Sequence, residues 1–228
     1  MSRIPRLPAL LAVLALCGCT LPRLATQPPA TGAVLLAPAQ LIAAVQADAD
    51  RIDHTKDPGT RAQLLATASA NAQQCLAQAP DNGACHYASA QVLGLTARER
   101  PVQAAALLKQ MLASLKQAEA LAPDFDHSGP ARLTATVLLR APGWPLGPGD
   151  ADAALLAAQR AVDHDAAYPP NLITLAQAQA KTDATAKARA TYERARAAIA
   201  GWNGTAPDAA ADRAQWQHDV EQGLHDLP

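Results

Sequence analysis

The chain has 228 residues, of which 57 are alanine and 3% are aromatic, and its formal net charge is −1. That length is sufficient for one sizeable domain or two small ones. The scarcity of aromatic residues argues against a β-sandwich or a barrel, whereas alanine favours closely packed helices. The balanced charge lacks the basic excess typical of nucleic-acid-binding proteins, so no nucleic-acid partner is expected.

The N-terminal residues have the pattern of a bacterial lipoprotein signal. Arg3 and Arg6 precede ten uncharged residues, 7–16, which form a segment too short to span a bilayer. The Leu-Cys-Gly-Cys sequence that follows resembles a lipoprotein cleavage motif, in which Cys19 becomes the lipid-bearing N-terminus. Lipidation of Cys17, or a plain secretory signal that is cut elsewhere, are the alternatives.

Such a signal predicts a mature protein that is anchored by lipid in the outer membrane and faces the periplasm. Residues 1–18 would be the signal peptide, and residues 19–37, rich in proline and threonine, a flexible tether. Thr20, rather than aspartate, follows Cys19, which by resemblance to Gram-negative lipoproteins implies export to the outer membrane. Residues 38–228 are then expected to form one helical domain that contacts the membrane only through its lipid.

Hydrophobic periodicity and capping residues predict about nine helices after the tether. Asp150, Asp183 and Asp208 are natural N-caps, and Thr60 with Gln63 forms a capping-box pattern. Consecutive hairpins of such helices predict an all-α fold, an α-solenoid or helical-hairpin superhelix. The predicted helices are 38–54, 60–78, 84–97, 101–122, 129–140, 150–165, 170–181, 183–199 and 208–226.

Two further cysteines, Cys75 and Cys85, flank a predicted turn between helices, residues 79–83. In an oxidising periplasm they could form a disulfide, which would stabilise the fold by roughly 2.5–3 kcal/mol in the chain-entropy model. Two buried thiols are the alternative. A metal site needs more ligands than this pair supplies.

The chain contains an internal repeat. Small residues that end predicted helices, Cys75, Ala118 and Ala161, recur at intervals of 43 residues, and Ala195 follows after 34, the length of a tetratricopeptide repeat. In the last unit, small and large residues fall on one helical face, as that repeat requires. We therefore interpret the domain as a stack of divergent tetratricopeptide-like hairpins. The residues of the last unit that match are Leu172, Leu175, Ala176, Ala188, Tyr192 and Ala195.

Residues 140–150 form a loop, because their three prolines and three glycines exclude a helix. A tryptophan is costly to expose. We therefore expect Trp144 in this loop to pack against the protein, either as the lip of a ligand channel or as a structural plug across two hairpins.

The stretch 140–178, RAPGWPLGPGDADAALLAAQRAVDHDAAYPPNLITLAQA, resembles the T component of TRAP transporters, the TatT family. The position of this stretch behind a lipoprotein signal, and the helix start at Ser128-Gly129-Pro130, are also similar to that family. Within the helical domain, the resemblance runs from about residue 60 to residue 200. It implies an all-helical periplasmic lipoprotein whose protomers associate as trimers, each with an internal apolar channel. It also implies association with the periplasmic substrate-binding protein of a TRAP system and binding of hydrophobic small molecules.

In a tetratricopeptide array, the first helix of each hairpin lines the concave face. In this chain that lining would be apolar and amide, without clustered charge, which suits an apolar ligand or a peptide. The alternative is that the same residues are ordinary contacts between hairpins. The pattern selects Tyr87, Gln91, Thr134, Val137, Ile173 and Gln177.

Arg132 and Arg140 lie about two turns apart on one predicted helix, on similar faces. They are candidates for binding a carboxylate of a ligand or partner. The alternative is a local ion pair with Asp150 or Asp152.

The sequence predicts no catalytic group, metal or cofactor. It lacks a nucleophile elbow and a phosphate-binding glycine loop. The runs 124–127 and 163–165 combine aspartate with histidine as metal ligands do, but both lie at predicted helix ends, where these residues are common. The sequence favours a non-enzymatic binding module. The alternative is a structural scaffold lipoprotein for envelope protein assembly with no small-molecule site.

Overall fold

The computed structural model describes residues 36–204 and 209–228, so the predicted signal peptide, Cys19 and most of the predicted tether lie outside the described residues. The described part contains nine α-helices and one short 3-10 helix, Pro101–Gln103. The α-helices are α1 (Pro38–His54), α2 (Pro58–Gln78), α3 (Gly83–Glu99), α4 (Ala104–Leu121), α5 (Phe125–Arg140), α6 (Ala151–His164), α7 (Pro169–Lys181), α8 (Thr185–Gly201) and α9 (Ala209–His225).

The helices pack as consecutive pairs, α1 with α2, α3 with α4, α5 with α6 and α7 with α8, and α9 packs against α8 and α7. The first helices of successive pairs also touch: α1 contacts α3, α3 contacts α5, and α5 contacts α7. The predicted all-α helical-hairpin fold is therefore confirmed. The assignment of these pairs to tetratricopeptide-like repeats of a solenoid stays a prediction.

Alanine fills much of the space between the helices, because its small side chain lets two helix backbones approach closely. Several alanines are fully buried, with no exposed surface. Among them are Ala68 in α2, Ala88 in α3, Ala118 in α4, Ala158 in α6, Ala176 in α7 and Ala195 in α8. No helix in the described part of the chain is long and apolar enough to cross a membrane.

Side-chain caps set several helix starts. The carboxylate of Asp57 accepts a hydrogen bond from the Thr60 amide at 2.6 Å, so α2 begins at Pro58 and the predicted capping box at Thr60 is wrong. Asp150 caps α6 as predicted. The predicted cap at Asp183 is wrong: its φ is 57°, and α8 begins two residues later without a side-chain cap. Asp208 lies outside the described residues.

A disulfide joins Cys75 at the end of α2 to Cys85 near the start of α3, with the two Cα atoms 5.5 Å apart. Both residues are completely buried. The bond closes the turn between α2 and α3, and the alternative of two buried thiols is wrong.

A left-handed turn precedes the regular part of α5. Asp126, His127 and Ser128 have φ values of 51°, 53° and 61°, so three residues with side chains adopt a conformation that favours glycine. The regular helix follows this turn, as the sequence predicts for residues 129–140. Such a backbone persists only where surrounding contacts fix it.

The loop between α5 and α6 exposes Trp144, which is 90% accessible to solvent and is followed by a cis peptide bond to Pro145. The expectation that Trp144 packs against the protein is wrong. The loop closes instead through its own backbone, since the Gly149 amide donates to the Pro142 carbonyl at 2.8 Å and the Leu146 amide donates to the Gly143 carbonyl at 3.0 Å.

Candidate functional site

An apolar cleft of about 450 Å³ lies where α1, α3, α4 and α5 meet. Most of its lining side chains are hydrophobic. A ligand of low polarity that entered the cleft would remove its apolar surface from water, which is favourable. The side chains that form the main apolar surface of this apolar cleft are Leu95, Leu108, Met111, Leu133, Val137 and Pro142.

A glycine on α3 lies opposite a methionine on α4 in this cleft. Gly94 of α3 has no side chain, and the sulfur of Met111 from α4 lies 3.1 Å from the position that a Cβ at Gly94 would take. The glycine thus allows α4 to place its methionine against α3. Methionine is flexible and polarisable, so this wall can adjust to the shape of a ligand.

Two polar side chains in the apolar cleft lack partners. The Oε1 atom of Gln91 is buried and accepts no hydrogen bond from any residue that the structure describes. Arg140 lines the same cleft and forms no ion pair with any described residue. In contrast, Arg98 at this cleft is bound to Asp53 at 2.6 Å. A buried amide oxygen without a donor is unfavourable, and a donor group of a ligand would satisfy it.

Three of the predicted binding residues, Gln91, Val137 and Arg140, therefore meet at the apolar cleft. Trp144 does not line it, although the cleft reaches Pro142, two residues before. The structure therefore does not place Trp144 at the lip of this cleft. Ala141 and Pro142, which lead into the loop of Trp144, line it instead.

The other predicted residues lie elsewhere. Tyr87 and Ile173 are in the core, with 2% and 5% of their surface exposed, and the Thr134 hydroxyl donates to the Pro130 carbonyl of its own helix. Gln177 lines a separate cleft beside Tyr192. For Tyr87 and Ile173, the alternative of contacts between hairpins describes the structure better than a ligand-facing role.

Arg132 binds the left-handed turn of its own chain. Its guanidinium donates to the Asp126 carboxylate at 2.9 Å, to the backbone carbonyls of Asp126 and His127, and to the Asn171 side chain at 3.1 Å. The side chain of Asn171 in turn donates to the His127 carbonyl at 3.0 Å. The carboxylate that Arg132 meets is thus that of Asp126, and not that of Asp150 or Asp152.

The two aspartate–histidine runs pair with each other. His127 Nδ1 lies 2.8 Å from Asp165, and His164 Nδ1 lies 2.8 Å from Asp124. These contacts join the turn before α5 to the turn before α7. Within the described residues, no group of three or more His, Cys, Asp or Glu side chains is arranged to hold a metal ion.

The structure also contains an aromatic cleft that the sequence analysis missed. Four rings meet there: His127 stacks on Tyr168 with centroids 4.2 Å apart, and Trp202 and Trp216 pack edge-on against Tyr168 at 5.3 Å and 5.7 Å. The cleft beside them has a volume of about 510 Å³. The carboxylate-bearing residues that line this aromatic cleft are Asp126 and Asp212.

Burial changes the acidity of two tyrosines near this region. The pKa of Tyr87 is raised well above its ordinary value, first by burial and then by the negative charge of Asp126. Burial also raises the pKa of Tyr168, while the neighbouring Arg132 opposes that rise. Both phenols therefore stay protonated at neutral pH and can donate hydrogen bonds.

No protein-family model matches this chain, and no curated protein is significantly similar to it.

Proposed function

We propose that the protein is a binding module for a small apolar molecule that carries one polar head group. The observation that supports this proposal is the apolar cleft, in which hydrophobic walls surround the unpartnered Gln91. The walls would bind the apolar body, and Gln91 would meet a hydroxyl or amide donor of the head group.

Arg140 narrows the chemistry of the head group. It is exposed, lines the apolar cleft and is free of an ion pair within the described residues. A guanidinium binds carboxylates through paired hydrogen bonds. A fatty carboxylate thus fits the site better than a fatty amine, because the amine would be repelled by Arg140.

The biological setting of this proposal comes from the sequence. The lipoprotein signal supports an outer-membrane, periplasm-facing location, and the resemblance of residues 140–178 to the TatT family supports association with a TRAP substrate-binding protein. Trimer formation is part of the same resemblance. The exposure of Trp144 and Leu146, at 90% and 75%, favours a protein partner for this loop, because hydrophobic side chains gain from being covered.

Ligand binding can be tested by filling the apolar cleft. Leu108→Trp places a large ring in the cleft, whereas Leu156→Trp adds the same ring at an exposed site on α6, outside the cleft. Titration of a fluorescent apolar probe, N-phenyl-1-naphthylamine, followed by displacement with dodecanoate, measures the affinity of each variant. We expect Leu108→Trp to weaken dodecanoate binding about tenfold or more and Leu156→Trp to leave it unchanged.

The head group is tested at the two polar residues. Arg140→Gln should weaken the binding of dodecanoate but not that of dodecanol. Gln91→Leu should weaken the binding of dodecanol, whose hydroxyl can donate to Gln91 Oε1, but not that of dodecanoate, which has no donor. Equal affinity of Leu108→Trp and the parent chain for both ligands would contradict the proposal.

The partner is tested by purifying the protein natively from its own host and recording native mass spectra. A co-purified substrate-binding protein of a TRAP system would support the transporter-accessory role. Envelope-assembly proteins bound to a chain without a small ligand would favour the structural scaffold.

A further inference from the structure

A second cleft, of about 460 Å³, adjoins the apolar cleft along residues 140–142. Arg140, Ala141 and Pro142 line both clefts, so the two volumes border the same short stretch of chain. We call the second volume the cationic cleft. Its remaining walls come from the end of α5, the loop that follows, the start of α6 and the end of α7: Leu138, Leu139, Gly143, Gly149, Asp150, Ala151 and Lys181.

Two positive side chains face the cationic cleft, and neither is neutralised by the described part of the chain. Arg140 ends α5 and Lys181 ends α7, and both are exposed. Neither of them forms an ion pair with any residue that the structure describes. The carboxylate in the lining belongs to Asp150, which caps α6 by accepting a hydrogen bond from the Ala153 amide at 3.0 Å. The cleft therefore keeps an excess of positive charge and attracts an anion.

Lys181 also borders the cleft beside Tyr192, which contains the carboxylates of Asp219 and Asp226. Those carboxylates have other partners. Asp219 accepts a hydrogen bond from the Gln215 side chain at 2.8 Å, and Asp226 accepts one from Gln222 at 2.9 Å. Neither of them pairs with Lys181, whose ammonium group thus stays available to the cationic cleft.

The loop wall of the cationic cleft is held by its own backbone. The Gly149 amide donates to the Pro142 carbonyl at 2.8 Å, and the Asp150 amide donates to the Leu138 carbonyl at 3.0 Å. A Cβ at Gly149 would clash with the Ala141 carbonyl oxygen, so glycine is what allows the two ends of the loop to approach. Because this wall is formed before a ligand binds, less entropy is lost on binding.

The arrangement of the two cations distinguishes a phosphate from a carboxylate. A carboxylate can satisfy one guanidinium with its two oxygens, which would leave Lys181 without an anionic partner. A phosphate monoester has three acceptor oxygens and a charge of about −1.5 to −2 at pH 7, so it can meet both an arginine and a lysine. Since the apolar cleft begins at the same Arg140, an alkyl chain on that phosphate has a hydrophobic surface to bind.

We propose that the two clefts together bind a single-chain amphiphile whose head group is a phosphate. Its chain lies in the apolar cleft, and its phosphate lies in the cationic cleft between Arg140 and Lys181. This inference rests on the function proposed for the apolar cleft and specifies the head group, because Lys181 lines the cationic cleft but not the apolar cleft.

Displacement of N-phenyl-1-naphthylamine from the full chain tests the proposal. Dodecyl phosphate and dodecanoate have similar alkyl chains but different anionic head groups. At pH 7.5, at low ionic strength and below the micelle concentrations, we expect dodecyl phosphate to bind about fivefold tighter than dodecanoate, and the preference to shrink as salt is added.

Two matched lysine variants locate the phosphate. Lys181→Gln should lower the preference for dodecyl phosphate over dodecanoate several-fold. Lys187→Gln removes the same charge at an exposed position on α8 that lines neither cleft, and it should leave the preference unchanged. Circular dichroism checks that both variants keep their helices.

The results separate this inference from the proposed function. If dodecanoate binds but dodecyl phosphate binds no tighter, or if both lysine variants change the preference equally, the phosphate head group is overturned and the apolar cleft is not. If neither amphiphile displaces the probe, both proposals are overturned. Calorimetric titration with inorganic phosphate identifies the source of the anion: much weaker binding than that of dodecyl phosphate supports an amphiphile, and equal binding indicates a site for a free anion and overturns the joint use of the two clefts.

Discussion

The hydroxyl of Tyr87 in α3 donates a hydrogen bond of 2.5 Å to the carboxylate of Asp126, 39 residues later in the chain. The same carboxylate oxygen accepts from Arg132 at 2.9 Å. Asp126 begins the left-handed turn before the regular part of α5, so this shared oxygen holds the turn against both α3 and α5. The contact explains how three residues with side chains keep positive φ values.

Tyr87→Phe removes this hydrogen bond and should lower the free energy of unfolding by about 1.5–3 kcal/mol, the usual contribution of a hydrogen bond to a charged group. Denaturation with urea at pH 7, followed by circular dichroism, measures the loss. An unchanged midpoint would show that Arg132 alone holds Asp126.

The pH dependence gives an independent check on Tyr87. Burial raises its pKa well above the ordinary value of about 10, while the unfolded phenol ionises near that value. As the pH rises past 10, the unfolded state loses its proton first. The stability contribution is therefore complete below pH 10 and is lost as the pH rises above it. Urea midpoints at pH 8 and pH 11 should differ less in Tyr87→Phe than in the parent chain. The same difference in both would contradict this assignment.

Gly129→Ala should destabilise the protein, because an added Cβ would lie 2.6 Å from the Tyr87 hydroxyl oxygen and 2.8 Å from its ring. Both belong to a buried side chain that cannot move freely, so we expect a loss of about 1–3 kcal/mol. The matched control is Gly201→Ala at the end of α8, where a Cβ meets no described atom within 4 Å. That change should be neutral or slightly stabilising. Thermal melts of the two variants compare their melting temperatures. A similar change in both would contradict the assignment of the clash to the contact between Gly129 and Tyr87.

The disulfide between Cys75 and Cys85 should contribute about 2.5–3 kcal/mol by restricting the unfolded chain. Dithiothreitol should lower the urea midpoint of the parent chain. It should have no effect on a variant in which both cysteines are replaced by alanine. A reductant effect of the same size on that variant would point to another cause.

Trp144→Ser should change the free energy of unfolding by less than about 0.5 kcal/mol, because the side chain is 90% exposed and its loop is closed by backbone hydrogen bonds. In the parent chain, iodide should quench Trp144 fluorescence more strongly than that of the half-buried Trp202 and Trp216. A marked loss of stability would show that the ring is covered in solution.

The sequence predicts the helices well because their signals are local. Alternating small and large residues mark the buried faces, and proline, glycine or a capping residue marks most ends. The left-handed turn at residues 126–128 cannot be predicted from the sequence. It depends on contacts from Tyr87 and Asn171, which lie far away in the chain.

The candidate sites were predicted less well for the same reason. Residues at helical spacing on α3 and α5 led to Gln91, Val137 and Arg140, which do meet at the apolar cleft. The aromatic cleft draws its rings from the turn before α7, the end of α8 and the middle of α9, and no spacing along the chain relates them. The cost of exposing a tryptophan predicts burial for Trp144, which is exposed, whereas it is Trp202 and Trp216 that are half-buried.

The last helix is held by little buried surface. In α9, all of which lies in the described part of the chain, Val220 alone is buried, and α7 and α8 are the only described helices that the helix contacts. Trp216 adds ring contacts with Tyr168 and Trp202. An element with so few anchors opens locally at a lower free energy than the domain as a whole. Amide protons of α9 should therefore exchange with deuterium while the other helices stay protected. Because Trp216 lies on α9, a molecule that occupied the aromatic cleft would slow this exchange without a comparable change in the rest of the protein.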